Sequence, residues 1–200
     1  MATGGIIVVG DEILSGHIYD ANSSYLVRRL SDLGIEVSSV CIVPDRIEAI
    51  VDRLADSLRK QDITLTSGGL GPTPDDLTKV AAARLLGRRL AIDETTADHI
   101  ETLYARSGHR PPPSSAKQAL VPQGSIVLEN PIGLAPGLIL VEGRRCLILL
   151  PGVPLELQRV FEAGVVPFIE EKYGSSPGPA VLIRTTGLPE SEIVDLVSPV

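Results

Sequence analysis

The stretch Thr66-Ser67-Gly68-Gly69-Leu70-Gly71-Pro72-Thr73-Pro74-Asp75-Asp76-Leu77-Thr78 decides how this chain folds. It follows the apolar run Ile63-Thr64-Leu65, which reads as a strand. It precedes the apolar-periodic run from Leu77 to Leu86, which reads as a helix. The stretch is therefore a strand-to-helix loop with three glycines, two prolines and two adjacent carboxylates. Glycine lets backbone N–H groups approach an anion closely, and a helix start adds a positive dipole end. Asp75 and Asp76 cannot bind an anion themselves; beside one they make sense with a divalent cation in between. Taken alone, the loop reads as a tight turn whose Asp or Thr caps the next helix.

Working outward, the same unit recurs. Ile6-Ile7-Val8-Val9 is a buried-strand pattern that runs into the acidic, glycine-flanked loop from Gly10 to Asp20. Asp20 is placed to cap a helix from Asn22 to Leu33, stopped by Gly34. Asn22 and Ser23 lie in its first turn, where polar groups can face a site at the strand ends. Val37 to Val43 is the next strand and ends at Pro44-Asp45. Ile47, Ile50, Val51, Leu54 and Leu58 then mark an amphipathic helix. Asp45 sits at its start, where a capping role is the simplest reading. Repeated strand–loop–helix units predict an α/β fold built on a doubly wound, mostly parallel sheet with right-handed crossovers. Ligands in such folds bind at the carboxyl ends of strands. Asp11 and Glu12, Asp45, and Asp75 and Asp76 all fall there, which predicts a shared acidic edge and a metal site.

Composition agrees with this class. The chain has 200 residues, is 44% hydrophobic and only 3% aromatic, and contains no Trp, so its core is built of Val, Ile, Leu and Ala. A net charge of −7 excludes broad nucleic-acid or anionic-membrane binding and favours a small-molecule partner. Cys41 and Cys146 lie in apolar runs and read as buried reduced thiols. No basic leader and no apolar run of spanning length is present, which gives the expectation of a cytoplasmic protein. His17, His99 and His109 are scattered without ligand spacing. The glycine loop carries no Walker lysine, no GxGxxG follows the first strand, and no GxSxG elbow occurs.

The remaining chain predicts one main domain, 1–174, with an elaboration at 88–125. Asp93 or Thr95 caps a helix to about Ser107, and the run from Gly108 to Ser115, with its three prolines, is a rigid connector. Ser114 or Ser115 caps a short helix through Lys117-Gln118-Ala119-Leu120. Leu138 to Val141 and Cys146 to Leu150 read as a hairpin. Pro151-Gly152-Val153-Pro154 then leads into a helix from Leu155 to about Tyr173. A strand from Ala180 to Thr186 and a helix from Glu190 to Val197 are expected in a strand-helix extension, 175–200, that reads as truncated.

Several of these motifs occur in a familiar order. Gly10-Asp11-Glu12-Ile13-Leu14-Ser15-Gly16, Val43-Pro44-Asp45, the 66–78 stretch, Lys117-Gln118-Ala119, Gly133-Leu134-Ala135-Pro136-Gly137 and Pro151-Gly152-Val153-Pro154 together resemble the molybdopterin-binding (MoaB/Mog-like) domain. They resemble most its version at the N-terminus of competence/damage-inducible, CinA-type proteins. The resemblance implies a three-layer α/β/α fold with a pocket formed by the glycine loop and the loops at Gly10 and Pro151. It implies either metal-dependent hydrolysis of the pyrophosphate in ADP-ribose-like nucleotides, or molybdopterin binding or adenylyl transfer in molybdenum-cofactor synthesis. A non-catalytic ligand-binding and oligomerisation module is the third alternative. The partner is then a nucleotide or a pterin, the cofactor Mg²⁺, Mn²⁺ or Co²⁺, and the chain self-associates as a homo-oligomer.

Asp45 and Asp76 fall where the family has functional aspartates, and Glu12 on an acidic metal-associated position. Glu12, Asp45 and Asp76 are thus candidate metal ligands or water-positioning groups, with Asp75 either a fourth ligand or a helix cap. Ser67, Gly68, Gly69, Gly71, Thr73 and Thr78 are expected to hold phosphates, with Asn22, Gly152 and Pro154 completing the substrate site. CinA-type sequences often carry His where this chain has Pro74.

Overall fold

The computed structural model describes residues 2–174 and 184–198. The chain opens with β1 (Thr3–Val9), the single turn α1 (Asp11–Leu14), α2 (Asn22–Asp32), β2 (Glu36–Val43), α3 (Ile47–Lys60), β3 (Ile63–Ser67) and α4 (Thr78–Leu85). β4 (Leu90–Ile92), α5 (Glu94–Arg106), the one-turn α6 (Ala116–Ala119) and β5 (Leu120–Pro122) follow. β6 (Ile126–Leu128), β7 (Gly137–Glu142), β8 (Arg145–Leu150), α7 (Pro154–Val160), α8 (Val166–Tyr173) and α9 (Glu190–Val197) complete the order.

Among the described residues one sheet runs β2-β1-β3-β8-β7-β6, and β4 pairs with β5 in a separate ribbon. β2, β1, β3 and β8 are mutually parallel, whereas β7 and β6 add antiparallel pairs at one edge. Strand alternation explains the layers. Ile6 and Val8 face one core with Leu26 and Leu30 of α2, Ile148 and Leu150 of β8, and Leu157 and Ile169 of α7 and α8. Ile7 and Val9 face the other with Ile50 and Leu54 of α3, Ala81 and Ala82 of α4, and Leu147 and Leu149. Continuous apolar runs are what a sheet covered on both faces requires. The expected three-layer α/β/α fold with a mostly parallel sheet is the fold observed.

The chain leaves β1 through α2 on one face and returns through α3 on the other, placing β2 and β3 on opposite sides of β1. The carboxyl ends of β1 and β3 therefore flank a topological switch point, where open α/β sheets form a crevice. The acidic loops after β1, β2 and β3 all reach this end.

Several local expectations change. The helix predicted from Leu155 to Tyr173 is divided by a π-helical turn, Phe161–Val165, just ahead of Pro167. Pro167 lacks an N–H and crowds the preceding turn, so the α-helical ladder cannot run through it. The edge strand β6 was not expected, because three apolar residues are too short a run to register. The short helix near Lys117 starts at Ala116 after a 3₁₀ turn, Pro113–Ser115, and no side chain caps it; Ser115 Oγ donates instead to Pro112 O at 2.6 Å. Asp93 rather than Thr95 caps α5, accepting from Thr96 N at 2.8 Å. Of the strand expected from Ala180 to Thr186, residues 180–183 lie outside the described residues, and Arg184 to Thr186 are not in a strand.

Candidate functional site

The loops after β1, β2, β3 and β8 enclose a cavity of ≈770 Å³. Glu12, Asp45, Asp75 and Asp76 all line it, together with Glu156 from the first turn of α7. So do Asn22, Ser67, Gly68, Gly69, Gly71, Gly152 and Pro154. Thr73 and Thr78 do not stand in its wall. The carboxylates of three successive strand ends therefore share one cavity with the glycine loop.

The glycine loop is shaped by two left-handed residues, Gly68 at φ +101° and Gly69 at φ +71°. A Cβ on Gly68 would collide with the Val9 carbonyl oxygen, and one on Gly69 with the Thr78 hydroxyl. The backbone can thus press against β1 and α4 only with glycine in both places. The amide of Gly68 is spent on Leu150 O at 3.1 Å, so it is not the phosphate donor expected of it. The amides of Gly69, Leu70 and Gly71 make no hydrogen bond to another described backbone group. Thr78 corrects a second expectation. It is fully buried, and its hydroxyl donates to Gly68 O at 2.8 Å while its amide donates to Gly69 O at 3.1 Å. It is a strut beneath the loop. Thr73, which is exposed, turns back onto its own loop, donating from N and Oγ1 to Asp76 Oδ2 at 2.8 and 2.6 Å. No side chain caps α4, which removes the capping role expected of Asp75.

Asn22 joins three loops. Its Nδ2 donates to Ser67 Oγ at 2.8 Å and to Gly152 O at 2.7 Å, while Asp20 Oδ1 caps its helix by accepting from the amides of Asn22 and Ser23. Asn22→Leu would leave the Gly152 carbonyl and the Ser67 hydroxyl without their donor. The expected cost is about 2 kcal/mol in urea unfolding, with Asn22→Asp costing more because a carboxylate would face the Gly152 carbonyl oxygen.

The carboxylates do not share one environment. Asp45 accepts from the Asp11 amide at 2.8 Å. Burial pushes its carboxyl above the ordinary range against that bond, and the neighbouring charges of Asp11, Glu12 and Asp75 add to the rise. Asp75 is held below its ordinary range by the neighbouring Thr73, its own amide and the Lys117 charge. Lys117 Nζ also donates to Thr73 O, tying α6 to the acidic turn. Among the described residues no three carboxylate, imidazole or thiol groups converge tightly enough to hold a metal by themselves. A Mg²⁺-like ion, however, takes one or two carboxylates and fills its shell with water and phosphate oxygens. The acids here fit a cation that arrives with a phosphate ligand better than a resident one.

Lys79, in the first turn of α4, escaped the sequence reading. Its Nζ is buried and donates to Lys117 O at 2.8 Å and Gln118 O at 3.0 Å. The available signal was a lysine sharing a helix face with Ala82 and Ala83, both buried. Burial, with the Lys117 charge adding to it and Asp76 opposing, pushes its pKa down to about 8. A depressed amine binds fewer protons folded than unfolded between about 8 and the ordinary 10.5. Stability contributed here should therefore rise with pH across that window, by about 3 kcal/mol in full. In Lys79→Met that rise should vanish, read as the difference from wild type in urea unfolding at pH 7.5 and pH 10.

Residues 5–171 match the family model described as a probable molybdopterin binding domain. The chain belongs to this molybdopterin-binding-domain family. Within it, the chain is 39% identical over 193 residues to a putative competence-damage inducible protein of Caldicellulosiruptor saccharolyticus, covering 96% of this chain and 47% of that one. It is 39% identical over 198 residues to a CinA-like protein of Myxococcus xanthus, covering 97% and 47%. The chain thus spans about half the length of these two relatives. A solved CinA structure from Thermoplasma acidophilum, described as of unknown function, superposes with a TM-score of 0.76 at 33% identity, covering 85% of this chain and 96% of that one. The MoaB molybdopterin biosynthesis enzyme of Thermus thermophilus gives 0.59 at 25%, covering 86% and 93%. The molybdopterin-binding-domain fold thus accounts for residues 5–171.

Proposed function

We propose that this domain hydrolyses the pyrophosphate linkage of an ADP-ribose-like nucleotide with the help of a divalent cation. The observation that carries the reading is the meeting of Glu12, Asp45, Asp75 and Asp76, from three successive strand ends, in one cavity with the glycine loop. A pyrophosphate carries charge that so acidic a pocket would repel, so the acids make sense only with a cation between them and the ligand. The amides of Gly69, Leu70 and Gly71 are then available to the phosphate oxygens. Asp45 and Asp76 would hold or orient the attacking water. Its oxygen bonds to one phosphorus while that phosphorus releases the bridging oxygen, giving AMP and ribose 5-phosphate. A bound cation would supply charge neutralisation at the phosphate oxygens.

The family description favours a second reading, binding of molybdopterin in the same cavity, to which adenylylation would add a reaction. Chromatography separates the two. Hydrolysis releases AMP from ADP-ribose, FAD or NAD with Mg²⁺, Mn²⁺ or Co²⁺ and needs no ATP. Adenylylation consumes ATP and requires the pterin. Binding of molybdopterin with no turnover of any dinucleotide would move the assignment to the second reading. Oligomerisation is part of the proposal, since family members of this kind are expected to self-associate.

A further inference from the structure

One group in the cavity wall has no task in the chemistry above. Gln118 lines the cavity and is 5% exposed, yet its Oε1 meets no donor among the described residues. A buried amide oxygen without a partner is disfavoured in a folded protein, and such groups mark functional sites. The segment that carries it is held firmly. Lys79 Nζ grips the carbonyls of Lys117 and Gln118, and Lys117 Nζ grips Thr73 O, so the backbone that carries the amide is fixed relative to the acidic turn. The cavity rim is of a different kind. Ile18, Tyr19, Ile132 and Val153 line it, all exposed, and Tyr19 is 95% exposed. An exposed aromatic ring among aliphatic side chains is a stacking surface for a flat heterocycle.

We propose that Gln118 is the specificity-determining residue of this pocket, its amide pairing with the edge of a planar heterocycle that presents a donor beside an acceptor. The inference rests on the reading of the cavity as a nucleotide or pterin site. It adds that the ring, and not only the phosphates, is recognised. A carboxamide suits such an edge because it presents an acceptor beside a donor, and Gln pairs in this two-bond manner with adenine. The amino-bearing edges of adenine and of a pterin share this chemistry.

The test is calorimetric binding to the full chain of two matched pairs, AMP against IMP and pterin against lumazine. Each second member lacks the amino group of the first. Wild type should prefer the amino-bearing member of one pair by about tenfold, and the pair that shows it identifies the ring. Gln118→Met should lose that preference, with the amino-lacking member binding as before and the unliganded melting temperature equal to or above that of wild type. Gln118→Glu, which keeps the shape and one acceptor, should also lose the preference. A preference that persists in both variants overturns the proposal, as does a fall of several degrees in the melting temperature of Gln118→Met, which would mark a structural amide. Absence of binding to all four probes overturns it too. Discriminating binding without pyrophosphate hydrolysis leaves it standing while the hydrolytic reading fails.

Discussion

Replacing Gly68 with alanine is expected to destabilise the domain by about 4 kcal/mol, a large part of the roughly 5–15 kcal/mol that holds a domain of this size together. Two costs combine. The residue sits at φ +101°, which L side chains rarely adopt, at about 1–3 kcal/mol. The new Cβ would also meet the Val9 carbonyl oxygen, a backbone atom of β1 that cannot turn aside as a side chain can, adding about 1–3 kcal/mol. Gly108 provides the control. It has φ +73° but open space where the Cβ would go, so Gly108→Ala should cost only about 1 kcal/mol. Urea unfolding of the two variants reads the difference directly. Equal losses would mean that the loop yields at Gly68, and that its close approach to β1 is not what shapes the cavity.

How much of this was legible beforehand varies from residue to residue, for physical reasons. The parallel strands and α2, α3 and α4 were legible because their apolar spacing is set by burial on both sheet faces. The acidic edge was legible because a strand-order reversal brings successive loops to one end whatever the details of packing. Inner struts were not. Thr78 has the composition of a phosphate ligand, but nothing in its neighbours reveals that its hydroxyl turns back to Gly68 O. Thr73 turns back in the same way onto Asp76. Lys79 and Gln118 depend on contacts across about forty positions of chain, between α4 and α6, which no local pattern encodes. β6 owes its strand conformation to β7 rather than to its own three residues.

Asp76→Asn and Asp45→Asn carry the second large expectation, a fall of at least about 100-fold in kcat for AMP release with the fold intact. Asn keeps the acceptor each position needs. At 76 it can still receive the Thr73 amide and hydroxyl, and at 45 the Asp11 amide. Stability should therefore change by less than about 1 kcal/mol, while the anionic oxygens that a cation or an attacking water requires are lost. Activity and stability thus separate in these variants, whereas Gly68→Ala should lower both together. If Asp76→Asn keeps its turnover, the acidic turn is structural and the chemistry lies elsewhere in the cavity.

The central claim is that the shared acidic cavity hydrolyses a pyrophosphate with a divalent cation. It is tested most directly by following AMP release from ADP-ribose by the wild-type chain and by the Asp45→Asn/Asp76→Asn double variant, in Mg²⁺, Mn²⁺ or Co²⁺ and again in EDTA. The account predicts AMP from wild type with at least one of these ions, its loss in EDTA, recovery when the ion is restored, and none from the double variant. No AMP with any of the three ions, or equal AMP from wild type and the double variant, would contradict it.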